Sequence, residues 1–163
     1  TETAINVMTW RKDKDNNDVP IWCARDSGLY APELTVSKAI IISNYYNRAT
    51  ISWEANSHGL AISALLKNRR PIYFRKDVVS GKTILTPGWL TTSGNKEYML
   101  GKVSAYSDIL DCKDIELVRQ LRNIRTNGEV GLTDILMSLA IGLCTSEPNP
   151  IKRGLIGQAG WRW

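Results

Sequence analysis

The segment from Thr133 to Leu143 constrains the fold more than any other part of the chain. Thr133 is a favourable N-cap residue, and the residues that follow predict a helix with apolar side chains on nearly every side. Such a helix must lie in a core or against a partner subunit. A second helix is predicted just before it, beginning at Asp111 or Asp114 and running to about Arg125. The last third of the chain is therefore predicted to be a helical pair.

The preceding two thirds contain strand patterns. Residues 3–10 and the short run 21–23 are typical of strands, and residues 48–54 alternate between apolar and polar side chains. A hairpin is predicted from residues 72–79 and 83–90, around a Ser-Gly-Lys turn, and residues 96–106 are a further strand candidate. The predicted class is α+β, with a mixed or antiparallel sheet, a C-terminal helical pair and an extended C-terminal arm.

Two helices are predicted among these strands. Pro32 favours a helix start ahead of residues 33–46, although the β-branched residues in the run 39–42 leave a strand open there. Ser57 is a candidate N-cap for a helix that extends to Asn68. The apolar residues of that second helix share one face: Leu60, Ala61, Ala64 and Leu65.

A chain of 163 residues with 43% hydrophobic residues can bury a core without a metal or a disulfide. Residues 1–150 are expected to form one domain and residues 151–163 an arm. The arm has spaced glycines and ends in Trp-Arg-Trp. We expect Trp161 and Trp163 to dock into a groove of another subunit, because paired exposed indoles promote aggregation. The sequence therefore predicts a homo-oligomer.

The number and spacing of the cysteines indicate the cellular compartment. Cys23, Cys112 and Cys144 are odd in number and widely spaced, which disfavours a disulfide framework. All three are expected to be small buried hydrophobes in an intracellular, cytoplasmic protein or one carried in a virion. The longest apolar stretch, residues 135–144, is too short to cross a bilayer.

Residues 67–76 contain the clearest functional pattern. Five of these ten residues are cationic, none is acidic, and two aromatic residues lie between the charges. The net charge of +5 also favours an acidic partner. Cations beside flat rings suit single-stranded nucleic acid, which offers phosphates and stacking surfaces together. The predicted contacts in this stretch are Lys67, Arg69, Arg70, Tyr73, Arg75 and Lys76.

Two further groups of cations extend this prediction. Arg119, Arg122 and Arg125 recur at three-residue steps on the first helix of the C-terminal pair. Arg119 and Arg122 point away from its apolar side, so they form either a row of phosphate contacts or an ordinary solvated face. Lys152 and Arg153 in the arm are the last predicted contacts.

No catalytic constellation is evident. His58 is the single histidine, and no glycine-rich phosphate loop is present. Asp77, Glu97 and Asp108 could converge on a metal ion, as a nuclease would require, but their spacing does not demand it. No catalytic residue, cofactor or metal site is therefore predicted.

These patterns favour a non-enzymatic, self-associating structural protein that binds nucleic acid, single-stranded RNA in particular. A nucleoprotein, capsid or matrix protein of an RNA virus would fit this description. Two alternatives stay open: a matrix protein bound peripherally to an anionic membrane surface, and a metal-dependent nuclease.

Overall fold

The computed structural model describes residues 3–56, 59–69, 71–76, 83–127 and 133–146. Within these residues the chain forms five helices and four strands, and the strands pair as two antiparallel two-stranded sheets. The predicted α+β class is confirmed. In chain order the elements are β1 (Thr3–Lys12), β2 (Asp18–Gly28), α1 (Pro32–Tyr45), α2 (Gly59–Leu66), β3 (Phe74–Lys76), β4 (Thr83–Pro87), α3 (Ser93–Tyr106), α4 (Ile115–Asn127) and α5 (Asp134–Thr145).

β1 and β2 form a long hairpin whose turn is closed by one carboxylate. Asp13 Oδ1 accepts hydrogen bonds from the backbone N–H groups of Asp15 and Asn17, at 2.9 and 2.8 Å. Asn16 has a φ of 65°, a left-handed conformation that asparagine tolerates better than most residues. Because the polar loop is this tight, β2 begins at Asp18 and is much longer than the predicted strand at 21–23.

The larger core lies between this hairpin and the C-terminal helices. α5 packs against β1, α3 and α4, and Leu136, Leu139 and Leu143 are almost completely buried. The predicted helical pair is thus confirmed, as is burial of its second helix. Thr133 caps α5 by accepting a hydrogen bond from the backbone N–H of Leu136, at 3.3 Å. Its hydroxyl also donates to the side-chain carbonyl of Gln120, which ties α4 to α5.

α4 begins after Asp114, one of the two residues predicted as its start. Asp114 Oδ1 accepts hydrogen bonds from the backbone N–H groups of Glu116 and Leu117, at 3.0 and 3.2 Å. These are two of the N–H groups that a helix start leaves without partners, so the carboxylate sets where the helix begins.

A smaller core lies between α1, α2 and the β3–β4 hairpin. Its buried members are Val36, Trp53, Ala55, Leu66 and Ile72. The helical interpretation of residues 33–46 is confirmed by α1, which has Pro32 in its first turn. The predicted hairpin is confirmed by the pairing of β3 with β4, although its turn lies outside the described residues.

The predicted strand at residues 48–54 is only partly correct. This segment buries Trp53, as the alternation indicates. It forms isolated parallel bridges, from Ile51 to Ile72 and from Glu54 to Trp89. Its two halves thus pair with different parts of the chain, so no continuous strand ladder forms.

The strand predicted at residues 96–106 is wrong, because these residues belong to α3. Thr92 and Asn95 form a capping box, in which each side chain bonds the backbone N–H of the other residue. The buried residues Met99 and Val103 are four apart, which is helical spacing. The helix start signal overrides the weak strand pattern.

α2 is shorter than predicted and orients its apolar residues unexpectedly. Gly59 and Leu66 are buried, whereas the face predicted from the sequence is exposed. The exposed residues are Leu60, Ala61, Ala64 and Leu65. Ser57, the predicted cap, lies outside the described residues.

The cysteines differ from the expectation in one case. Cys144 is buried and Cys112 half-buried, but Cys23 is exposed on β2, so predicted burial of all three was wrong. Cys23 occupies the bulge opposite Val7 and Met8, where the alternation of inward and outward side chains is interrupted. None of the helices in the described part of the chain combines the length and apolar character that crossing a membrane requires.

Candidate nucleic-acid interface

Lys67 and Arg69 lie just beyond the C-terminal end of α2. Both side chains are exposed. Their backbones continue the last turn, since Lys67 N donates to Ser63 O at 3.0 Å and Arg69 N to Leu66 O at 2.8 Å. Cations at this end of a helix interact favourably with its dipole. The predicted contact Arg70 lies outside the described residues.

Tyr73 is held between two other segments through its backbone. Its N–H donates to Ile51 O at 2.9 Å, and its carbonyl accepts from Gly88 N–H at 3.0 Å. The side chain is half-buried. The next residue, Phe74, packs against the smaller core. Ile72 and Phe74, two residues apart, thus both contribute to the smaller core.

Arg75 is partly committed to the fold. Its Nε donates to Gly88 O at 2.9 Å, which ties β3 to the segment that follows β4. Gly88 has a φ of 79°, and a Cβ there would lie 3.0 Å from the Trp53 ring, so this position requires glycine. The Nη groups of Arg75 are further N–H donors of the kind that binds phosphate. The Lys76 side chain lies outside the described residues.

The arginine row on α4 offers less positive charge than the sequence indicated. Arg119 Nη1 pairs with Glu116 Oε2 at 2.7 Å, one turn earlier on the same helix. Arg122 is exposed, and the side chain of Arg125 lies outside the described residues. An exposed ion pair of this kind contributes little stability, but it does reduce the field that a phosphate would meet.

The predicted residues of the arm, Lys152, Arg153, Trp161 and Trp163, all lie outside the described residues. Ser146, just after α5, accepts a hydrogen bond on its hydroxyl from Trp10 Nε1, at 3.0 Å. The C-terminal end of α5 therefore lies beside Trp10.

An aromatic and cationic surface at this point escaped the sequence analysis. The rings of Trp10 and Tyr106 meet edge to face, with centroids 5.1 Å apart. Lys102 Nζ lies 5.9 Å from the Tyr106 ring and 5.6 Å from the ring of Tyr98. Tyr98 is 50% exposed. We call Trp10, Tyr98, Lys102 and Tyr106 the α3 surface.

The α3 surface depends on helical geometry. Tyr98, Lys102 and Tyr106 are four residues apart, so they are neighbours only on a helix. Partial burial disfavours the charge of Lys102, but the neighbouring oxygens of Tyr98 and Tyr106 outweigh it and raise the pKa of the amine. Lys102 therefore stays cationic at neutral pH. The overlooked signals were the Thr92–Asn95 capping box and the Tyr-Lys-Tyr spacing.

The acids considered for a metal site do not come together. Glu97 is in the second turn of α3 and Asp108 lies beyond its end. Eleven residues at 1.5 Å each place them about 16 Å apart, too far to share one ion. Asp77 and His58 lie outside the described residues. Within the described part of the chain, no three side chains of the metal-binding types cluster.

Among the ion pairs of the described residues, the most buried one supports the fold. Arg25 Nε lies 2.7 Å from Asp114 Oδ2, with both side chains largely buried. Burial disfavours the charge of Asp114, yet hydrogen bonds from the α4 backbone and from Arg25 lower the pKa of its carboxyl. The pair joins β2 to the start of α4.

Comparison with known proteins adds no relative: no family model, curated protein or solved structure matches this chain.

Proposed function

We propose that this chain is a non-enzymatic, self-associating protein that binds single-stranded RNA. The observation that carries the proposal is the exposure of Lys67 and Arg69 within a stretch that lacks acidic residues. From Ala55 to Lys76 the sequence contains five cations and no carboxylate. A polyanion that approaches this stretch meets five cations and no carboxylate that belongs to the stretch itself.

The α3 surface supplies the second requirement of such a ligand, which is stacking. Tyr98 is half exposed and lies next to a cation, and unpaired bases stack on aromatic rings whatever their sequence. The basic residues Lys152 and Arg153 follow Ser146, which contacts Trp10. Phosphate contacts and stacking together favour single strands over duplex, whose bases are already stacked.

Self-association would strengthen weak individual sites. If several copies assemble along one strand, the binding of each further copy becomes effectively intramolecular, and the overall affinity rises without new contacts. The apolar arm end with Trp161 and Trp163 is the segment we expect to join neighbouring copies, since tryptophan is enriched among the residues that dominate interface energies.

A fluorescence anisotropy titration of labelled single-stranded RNA at several salt concentrations tests this function. The wild type should bind, and log K should fall linearly with log[salt]. Lys67→Ala with Arg69→Ala should lower the slope by about 1.4, because each lost phosphate contact removes about 0.7. Lys14→Ala with Lys113→Ala removes two exposed cations elsewhere and is the matched control. Absence of wild-type binding, or equal slopes for both double variants, would refute the proposed site.

A further inference from the structure

α2 exposes an apolar face that the described part of the chain leaves uncovered. Leu60 is 64% exposed and Leu65 is 42% exposed, and both Ala61 and Ala64 between them are exposed. The four residues lie on one side of the helix and none carries a polar side chain. We call them the α2 face. Covering it would remove apolar surface from water, so the face favours a partner that offers an apolar environment.

The α2 face cannot rotate into the protein. The opposite side of the helix is held by Leu66, which is fully buried, and by Ser63, whose hydroxyl accepts a hydrogen bond of 2.8 Å from Trp53 Nε1. Gly59 packs so closely on the backbone that an added Cβ would lie 1.6 Å from Glu54 O. These contacts fix which side of α2 faces outward.

The charge around the α2 face selects the partner. Lys67 and Arg69 are exposed directly beyond the helix, in the stretch 55–76 that lacks acidic residues. RNA would engage these cations but offers no apolar phase for the leucines. A second copy docked through the same helix would bring another excess of positive charge and no acid from this segment. An anionic bilayer offers negative headgroups and an apolar interior at adjacent depths.

We infer that the α2 face, together with Lys67 and Arg69, is a docking surface for an anionic lipid bilayer. Leu60 and Leu65 enter the boundary between headgroups and acyl chains, and the two cations contact the headgroups. This surface goes beyond the proposed RNA binding but uses two of the same cations, Lys67 and Arg69. RNA and bilayer should therefore compete for the same protein.

Flotation of the full chain with vesicles tests the inference. The wild type should float with phosphatidylcholine vesicles that contain phosphatidylserine and remain behind with phosphatidylcholine alone. Leu60→Ser with Leu65→Ser should weaken partitioning about tenfold. Lys67→Ala with Arg69→Ala should weaken it about fivefold for each cation lost. The matched control, Leu29→Ser with Ile115→Ser, changes residues that are 83% and 76% exposed elsewhere and should float like the wild type.

RNA anisotropy on the same variants separates the two proposals. Leu60→Ser with Leu65→Ser should leave RNA affinity unchanged, because serine there removes no cation. Wild type that fails to float, or a leucine variant that floats as well as the wild type, would overturn the membrane surface whatever the RNA result. A leucine variant with a smaller assembly size by light scattering would overturn it as well and identify the face as a protein contact. RNA binding that fails while flotation succeeds would refute the proposed function alone.

Discussion

Trp53 Nε1 donates a hydrogen bond of 2.8 Å to the hydroxyl of Ser63, and this bond joins the smaller core to α2. Ser63 in turn donates to Gly59 O at 2.7 Å, within the same helix. The Trp53 indole reaches the Ser63 hydroxyl because the first turn of α2 lies close to residues 53–55. This contact sets the rotation of α2, whose other side chains are all apolar.

Ser63→Ala should destabilise the protein by about 1–3 kcal/mol, because it leaves the buried Trp53 N–H without its acceptor. Urea unfolding followed by circular dichroism measures the loss. Ser37→Ala is the control, since this exposed serine bonds only to Glu33 O on its own helix. In the background of Trp53→Phe the cost of Ser63→Ala should shrink, as expected for a direct pair. Equal costs in both backgrounds would show that the bond does not contribute.

Gly59→Ala should cost about 3 kcal/mol or more, because the added methyl group overlaps the carbonyl of Glu54. Gly101→Ala is the matched change on α3, where an added Cβ meets nothing within 4 Å. That substitution should stabilise the protein by about 0.5–1 kcal/mol, since glycine is a poor helix former. Thermal unfolding should show a lower melting temperature for Gly59→Ala and a higher one for Gly101→Ala. Similar shifts in the two variants would contradict the close packing of α2.

Asp114 should make the protein sensitive to acid. Its carboxyl pKa is lower in the folded state than in the unfolded chain, so the stability it contributes is present above the unfolded value of about 3.9. That stability is lost as the pH falls through the lower folded value. Asp114→Asn keeps a good N-cap but removes the charge, so it should reduce the melting temperature at pH 6 and flatten its fall between pH 5 and pH 2. Asp15→Asn in the exposed turn serves as the comparison; a wild-type profile in Asp114→Asn would disprove this role.

Tyr98→Ala should weaken binding of single-stranded RNA by about fivefold to 150-fold, which corresponds to the loss of about 1–3 kcal/mol for a stacked base. The slope of log K against log[salt] should stay constant, because no charge is removed. Tyr45→Ala is the control, since that ring is also exposed but meets only Tyr46 edge-on among the ring contacts described. If the two variants bind RNA equally, the α3 surface takes no part.

Deleting residues 151–163 should leave the protein folded and reduce its assembly size by light scattering. The truncated chain should also bind long RNA less tightly, because linked sites are lost along with Lys152 and Arg153. Circular dichroism verifies the fold before the comparison. An assembly of unchanged size would show that Trp161 and Trp163 do not join neighbouring copies.

The sequence predicts only part of the candidate site. The exposed positions of Lys67 and Arg69 were predictable, since cations that follow a helix end rarely enter a core. The bond from Arg75 to Gly88 and the ion pair from Arg119 to Glu116 required the folded chain. The α3 surface was missed, because Trp10 and Tyr106 are neighbours in space but almost a hundred residues apart in sequence.

By itself, the sequence determined the elements whose signals are local: β1, the helical starts at Pro32 and Thr133, and the α+β class. Caps, turn residues and periodicity act within a few residues, so they need no tertiary partner. Tertiary structure decided which face of α2 is buried and how residues 51–55 pair. In each case the deciding contacts join separate segments, such as Ile51 with Ile72 and Trp53 with Ser63, and such pairings exist only in the folded protein.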